Sequence, residues 1–366
     1  MRVVVAAGGT AGHIFPGLAL ARRLRDRHAA DVLFVGRAEG QEARLVPEAG
    51  FAMAAVESRP FVRKLSPAAL AGPLAALRAA RRCRAILREA DVAVGMGGYT
   101  SVPVSLAARR ERVPLVLHEQ NAVPGLANRV AARWARAVGL SFAEAASRFP
   151  RRARVVVTGN PVRERILRVP DEREALAAEA RRELGLKDGP RTVAIFGGSQ
   201  GALHLNRAAV EAARLLAGRD DLQLLLITGP AHLDEGERRI PAGDRPAVRA
   251  RPFVDRMELT YAVADLAVCR AGAGTIAELT VCGVPSLLVP YPYATGGHQQ
   301  ANARALERAG GAEVVLDDRL NGPVLAERID DLLDPVRLGA MAAAAEAFGR
   351  PDAADALADL AVEAAG

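Results

Sequence analysis

Short apolar runs alternate with longer stretches of helical period along the whole chain, the pattern of strands buried on both faces and of helices returning between them. In the first half the runs predict strands near 2–7, 31–36, 51–56, 91–95, 114–118, 137–140 and 154–157. In the second half they predict strands near 191–196, 222–227, 246–250, 265–268, 285–289 and 311–315. The intervening periodicity predicts helices over 17–28, 68–89, 123–134, 201–217, 273–282 and 298–309. Strict alternation of the two patterns implies an α/β protein with parallel sheets and right-handed crossovers. Thr158-Gly159-Asn160-Pro161 interrupts the alternation and precedes a charged helix, which sets a domain boundary at 160/161. The Ala-rich helical tail after Asp334-Pro335 carries a segment, about 350–366, expected to recross to the first domain.

One device occurs in both halves. Val3-Val4-Val5-Ala6-Ala7 runs into Gly8-Gly9-Thr10-Ala11-Gly12-His13, and Val193-Ala194-Ile195-Phe196 runs into Gly197-Gly198-Ser199-Gln200-Gly201-Ala202. A buried strand, a glycine turn and a helix N-terminus open a nucleotide-type domain, because the turn lets the backbone approach a ligand and the free N–H groups favour anions. Two such openings predict two Rossmann-like domains, 1–160 and 161–349, facing each other across a cleft. Neither turn is GxGxxG, the second strand ends on Gly36-Arg37 where dinucleotide enzymes carry an acid, and no GK[ST] follows. Dinucleotide oxidoreductases and P-loop NTPases are thereby excluded.

Composition adds bounds. The chain has 366 residues, enough for two cores, with 50% hydrophobic and 25% charged residues. Cys83, Cys269 and Cys282 are scattered, which predicts reduced core thiols and no zinc site. No leader pattern and no run of about 18 apolar residues occurs, so neither secretion nor a spanning helix is expected. Net charge is +7, but residues 1–160 hold 25 Lys/Arg against 11 Asp/Glu, a net +14, which leaves −7 for the remainder. Such asymmetry points to an anionic surface met by the first half. Eight cations lie between Arg59 and Arg88 with no acid among them, including Arg63, Lys64, Arg78, Arg81, Arg82 and Arg84, interleaved with apolar residues such as Phe61, Leu70 and Leu77. A basic amphipathic stretch of this kind suits an anionic bilayer, while core packing accounts for part of its apolar pattern. No nucleic-acid-binding motif accompanies it.

The second half offers further chemistry. Cys269-Arg270-Ala271-Gly272-Ala273-Gly274-Thr275-Ile276-Ala277-Glu278 joins a strand to a helix that Thr275 is placed to cap. Glu278 then serves either two ribose hydroxyls or a capping box with Thr275. Gln299 and Gln300 end the next loop with neutral amides suited to sugar hydroxyls.

The segments GGTAGHIFPGLALA, GMGGYTSVP, HEQNAVPGLANR, TGNPVR, GGSQGA, RAGAGTIAEL and HQQANA, in that order, closely resemble the MurG family of bacterial transferases. The resemblance implies a GT-B fold and inverting transfer of GlcNAc from UDP-GlcNAc to the C4 hydroxyl of MurNAc in lipid I, a step of peptidoglycan synthesis on which cell shape and division depend. It implies UDP-GlcNAc, lipid I, the cytoplasmic face of the cell membrane and cell-wall synthesis proteins as partners, with no cofactor and no metal. Matching motif to motif, Ser199 and Arg163 would meet the diphosphate, and the Val254 backbone the uracil edge. Glu278 would hold the ribose, Ala273, Gly274 and Thr275 would belong to the same UDP-GlcNAc site, and Gln299 and Gln300 would contact the sugar. Thr10, Ala11, Gly12 and Asn121 would reach the sugar from the first domain. Gly296-Gly297 stand where the family often has an acid. For the general base, His13 in the first glycine turn is the candidate and His118 the second choice; His28, His204 and His232 are expected at the surface. Other GT-B enzymes, a natural-product glycosyltransferase or a UDP-GlcNAc epimerase, remain alternatives, as does a non-enzymatic basic adaptor. A pyridoxal-dependent phosphorylase does not fit, since neither Lys64 nor Lys187 sits where a Schiff base is needed.

Overall fold

A computed structural model describes residues 1–56, 78–79, 81–198, 201–233 and 246–366. The chain forms two compact units, one of Met1–Arg163 with Arg350–Gly366 and the other of Glu164–Gly349.

The first unit contains β1 (Arg2–Ala6), β2 (Asp31–Gly36), β3 (Ala52–Ala55), β4 (Val92–Gly95), β5 (Leu115–Glu119), β6 (Ala137–Leu140) and β7 (Val155–Val157). They form one parallel sheet in the order β3-β2-β1-β4-β5-β6-β7. Val3 pairs with Val32 on one side and Val92 on the other, so β1 is central. Alternate residues of β1 feed two cores: Val3 and Val5 pack with the helix Ala11–His28, while Val4 and Ala6 pack with Val104 and Leu117. The last helix, Ala353–Ala365, belongs to this unit. Its Leu357, Ala358 and Ala361 join the Val3 core, and Arg154 bonds Glu363 at 2.6 and 2.8 Å.

The second unit contains β8 (Arg191–Phe196), β9 (Leu222–Ile227), β10 (Ala247–Arg251), β11 (Leu266–Cys269), β12 (Ser286–Leu288) and β13 (Ala312–Val314). The order β10-β9-β8-β11-β12-β13 repeats the same winding. In both sheets the strand order reverses beside the strand that enters a glycine turn: between β1 and β4, and between β8 and β11. Ligands of doubly wound sheets bind at such points, beyond the carboxyl ends of the strands.

All thirteen predicted strands are present, and the fold is the expected pair of Rossmann-like domains. The helix expected over 17–28 begins at Ala11. Gly12, Pro16 and Gly17 read as loop residues, yet a Cβ at Gly17 would come within 2.9 Å of Ala7, so the glycine lets this helix lie close to its strand. Of the helix expected over 68–89, residues 78–79 and 81–87 are helical and the stretch before them lies outside the described residues.

Candidate active site

Three loops leave the carboxyl ends of β1, β4 and β5 in the first unit. Thr10 is the N-cap residue of its helix by backbone conformation but makes no capping bond with its side chain. Its Oγ1 instead meets His13 Nδ1 at 2.9 Å. The contact serves either tautomer, and the one whose Nδ1–H donates to the hydroxyl leaves Nε2 as the basic nitrogen. The half-exposed His13 ring lies over the turn after β4, where a Cβ at Gly97 would be 3.0 Å from Nε2. Gly97 and Gly98 hold φ of +94° and +76°, and a Cβ at Gly98 would meet Gly8 O at 2.6 Å. Glycine is required there because two backbones touch. Ala11 is half-buried and Gly12 exposed beside them.

His118 is fully buried at the end of β5, and its Nε2 lies 3.0 Å from the carbonyl oxygen of Gly159. Burial lowers its pKa to about 4. The His118 ring is therefore neutral near pH 7 and sealed from solvent. Glu119, also buried, accepts from Asn121 N at 3.0 Å, Gly125 N at 3.1 Å and Asn128 Nδ2 at 2.9 Å. Burial pushes its pKa up against those three donors. The loop carrying half-exposed Asn121 is therefore folded around a carboxylate. Sequence reasoning missed Glu119 as an organiser, although an acid beside HxxN-type polar residues at a strand end was its signal. The Arg163 guanidinium stacks 5.1 Å from the Phe15 ring centre, both within this unit.

Glu42 was also missed. It has no exposed surface, and its carboxylate accepts from Arg37 N at 2.9 Å and Gly9 N at 3.3 Å. The acid absent from the end of β2 thus arrives from the next helix and lies under the first glycine turn.

In the second unit Ser199 and Gln200 lie outside the described residues. Gly201 N–H donates to Gly198 O at 2.9 Å, and Gly201, at φ +74°, abuts the backbone oxygen of Thr228 where no Cβ fits. The helix Ala273–Val281 begins on Gly272, which is the N-cap residue. Thr275 is therefore inside the first turn and caps nothing, so the capping-box reading of Glu278 falls. Half-buried Glu278 accepts a 2.9 Å bond from the hydroxyl of Tyr261, a fully buried side chain that sequence reasoning missed. Ala273 is buried, and Gly274 is half-buried beside it. Val254 is buried in its loop next to exposed Phe253.

Gln299 Oε1 accepts from Tyr291 N at 2.9 Å, which ties it to the loop, while Gln300 is exposed. Gly296 and Gly297 take φ of +64° and +67°, successive left-handed residues that lead into the helix His298–Arg308. This backbone accounts for glycine in place of an acid. Beneath the loop, buried Arg270 donates to Asp317 at 2.5 Å and to Val289 O at 3.1 Å. A cavity of about 640 Å³ with Arg173, Arg191, Asp265 and Glu346 in its wall opens at the other edge, where β8, β11 and β12 begin, and lies apart from these loops.

Among the described residues no group of three or more His, Cys, Asp or Glu is arranged to hold a metal, and no helix is long and apolar enough to cross a membrane. The three thiols are buried, and burial pushes the Cys83 pKa up to about 12. His204 and Asp317 form a surface pair at 3.2 Å, and His28 meets Asp359 at 3.1 Å. Arg63 and Lys64 lie outside the described residues. Arg78, Arg81 and Arg82 are exposed, but Arg84 pairs with Glu111, which also takes Arg88 at 3.4 Å. The acid-free segment is thus partly neutralised from a neighbouring helix.

A model of the glycosyltransferase family 28 N-terminal domain matches residues 3–140, and one of its C-terminal domain matches residues 192–357. The chain is 45% identical over 371 residues to a protein of Acidothermus cellulolyticus, covering 100% of this chain and 98% of that one. It is 41% identical over 370 residues to a protein of Halothermothrix orenii, covering 98% of each. Both relatives are named UDP-N-acetylglucosamine–N-acetylmuramyl-(pentapeptide) pyrophosphoryl-undecaprenol N-acetylglucosamine transferase. The crystal structure of Acinetobacter baumannii MurG superimposes with a TM-score of 0.80 at 29% identity, covering 99% of each chain. A UDP-N-acetylglucosamine 2-epimerase structure from Listeria monocytogenes, at 15% identity and a TM-score of 0.67 over 97% of this chain and 94% of that one, shares the fold.

Proposed function

This chain belongs to glycosyltransferase family 28, among the UDP-N-acetylglucosamine–N-acetylmuramyl-(pentapeptide) pyrophosphoryl-undecaprenol N-acetylglucosamine transferases, and from that membership we infer its reaction. It is an N-acetylglucosaminyltransferase that moves GlcNAc from UDP-GlcNAc to the lipid-linked MurNAc-pentapeptide. The observation that carries this reading is identity of 41–45% running the full length of both units.

We assign the roles by motif resemblance to the family together with the chemistry of the residues. The MurNAc C4 hydroxyl attacks the anomeric carbon of GlcNAc from the face opposite UDP. A C–O bond forms, the bond to the diphosphate breaks, and the anomeric configuration inverts. His13 Nε2 takes the hydroxyl proton, in the tautomer whose Nδ1–H donates to Thr10 Oγ1. Charge on the departing UDP is met by the N–H groups of the second glycine turn, with Ser199 and Arg163 contributing. Glu278, steadied by the Tyr261 hydroxyl, accepts from the ribose, and the Val254 backbone reads the uracil. Ala273, Gly274 and Thr275 leave room for the nucleotide. Gln299 and Gln300 bind the GlcNAc hydroxyls together with Thr10, Ala11, Gly12 and Asn121. The first unit takes the lipid acceptor, and its exposed arginines hold the enzyme on the anionic cytoplasmic leaflet, where it serves cell-wall growth and division.

Transfer of labelled GlcNAc from UDP-GlcNAc to a lipid I analogue tests the reaction. Labelled disaccharide-lipid and one equivalent of UDP are expected. Absence of that product, with the nucleotide sugar bound, would overturn it.

A further inference from the structure

Gly8, Gly36 and Gly40 stand at three separate points of the chain, yet each leaves space for the same side chain. A Cβ at Gly8 would lie 2.5 Å from Glu42 Oε1, one at Gly36 would lie 2.5 Å from Glu42 Cγ, and one at Gly40 would collide with the whole carboxyl group. The fold has kept three positions bare around a carboxylate with no exposed surface. That carboxylate spans from Arg37 N to Gly9 N, and Gly9 is followed by Thr10, whose hydroxyl holds His13. Thr10 O also accepts from His13 N at 3.0 Å and Ile14 N at 3.2 Å, so the helix start and the imidazole both hang on one residue.

We infer that Glu42 is a positioning residue for the transfer reaction: its buried carboxylate fixes the first glycine turn so that Thr10 presents His13 to the acceptor hydroxyl. This rests on the role given to His13 above. A carboxyl group seated under a turn at φ +93° takes the Gly9 N–H from within the protein. The turn then serves as a rigid mount for the base, while the phosphate-binding task falls to the second unit. A glutamine keeps the shape but must set its NH2 against one of the two N–H donors.

The test uses the full chain and the variants Glu42→Gln, Glu42→Ala and Gly40→Ala. Glu42→Gln is expected to lower kcat about tenfold or more, scored per molecule competent to bind UDP, with donor KM and UDP affinity within about twofold of wild type. Glu42→Ala should fall further. Gly40→Ala, whose nearest neighbours are all Glu42 atoms, should lower kcat alone but add nothing to Glu42→Ala. Imidazole NMR gives a readout independent of turnover: the His13 ring signals should move in Glu42→Gln while those of His28, His204 and His232 stay. Wild-type kcat in the glutamine variant, or unmoved His13 signals, would overturn the inference. If Glu42→Ala does not fold, Gly40→Ala with normal kcat does the same. Failure of wild type to transfer GlcNAc would instead count against the functional reading, with the NMR arm still deciding the role of Glu42.

Discussion

The two glycine turns are the same device finished in two ways. The first, after β1, is pinned by a side chain: Glu42 holds Gly9 from below, and Thr10 passes that constraint to His13. After β8, Gly201 packs against Thr228 O, and Asn206 Nδ2 donates to that same oxygen at 2.9 Å. Side-chain support carries a titratable group to a set position in the first turn. A further contrast lies beneath them. The first unit buries His118 and Glu119 in adjacent positions, and the second pairs buried Arg270 with half-buried Asp317. Duplicated topology therefore does not imply duplicated chemistry. On the roles proposed above, proton transfer falls to the first unit and nucleotide binding to the second.

The largest test of that division is His13→Ala. Turnover should fall about 100-fold or more, the scale of a lost general base, while UDP affinity measured by calorimetry stays unchanged. Near-normal turnover with a raised acceptor KM would move His13 from chemistry to binding.

Next comes acid stability, which should distinguish the units. Burial holds His118 neutral with a pKa of about 4 against 6.5 for the free side chain. The native state thus refuses a proton that the unfolded chain accepts. The stabilisation is complete above pH 6.5 and is lost as pH falls to about 4, on the order of 3 kcal/mol in all. Glu119 has the opposite sign, because its pKa is raised and acidification removes the strain of a buried charge. Trp134, the single tryptophan, lies in the first unit and reports its unfolding. His118→Gln should flatten the acid-side loss of stability and Glu119→Gln should steepen it. Identical pH profiles in all three proteins would refute the assignment.

On the donor side, Glu278→Ala should cost on the order of 1.5–3 kcal/mol of UDP affinity, since a charged acceptor is lost from a half-buried site. Turnover at saturating donor should change far less, the reverse of His13→Ala. Equal UDP affinity in both proteins would remove the ribose role.

Strand positions were legible because parallel strands buried on both faces are continuous apolar runs such as Val3–Ala6 and Leu222–Ile227. The glycine turns were legible because glycine marks both the positive φ and the close approach. What stayed hidden depended on contacts distant in sequence. Glu42 reads as an ordinary helix-start acid until Gly8 and Gly36 are brought against it. Tyr261 reads as one more core aromatic until it meets Glu278 from 17 residues away. The Thr275 cap misled because its spacing to Glu278 fits a capping box, whereas the helix starts at Ala273, two residues ahead of it.

The smallest predicted effect concerns charge, where the halves differ most. Residues 1–160 carry +14 and the rest −7, yet Arg84 and Arg88 turn toward Glu111 and are partly spent within the fold. Glu111 is held well below the usual carboxylate range by the Arg84 hydrogen bond, so it stays charged and keeps its partner through mildly acid conditions. Reversing Arg84 would break that pair and confuse a surface effect with a folding one. Arg78 and Arg81 are exposed on the same stretch and make the cleaner test. Each cation near an anionic leaflet contributes roughly 1 kcal/mol, decaying over a Debye length. Arg78→Glu with Arg81→Glu should therefore weaken sedimentation with vesicles containing anionic lipid by at least tenfold, and added salt should erase the difference. UDP affinity should be unaltered, because neither arginine is among the residues proposed to bind the nucleotide. Equal vesicle binding by the double variant and wild type would mean that the positive half meets the membrane through other residues or meets no membrane at all.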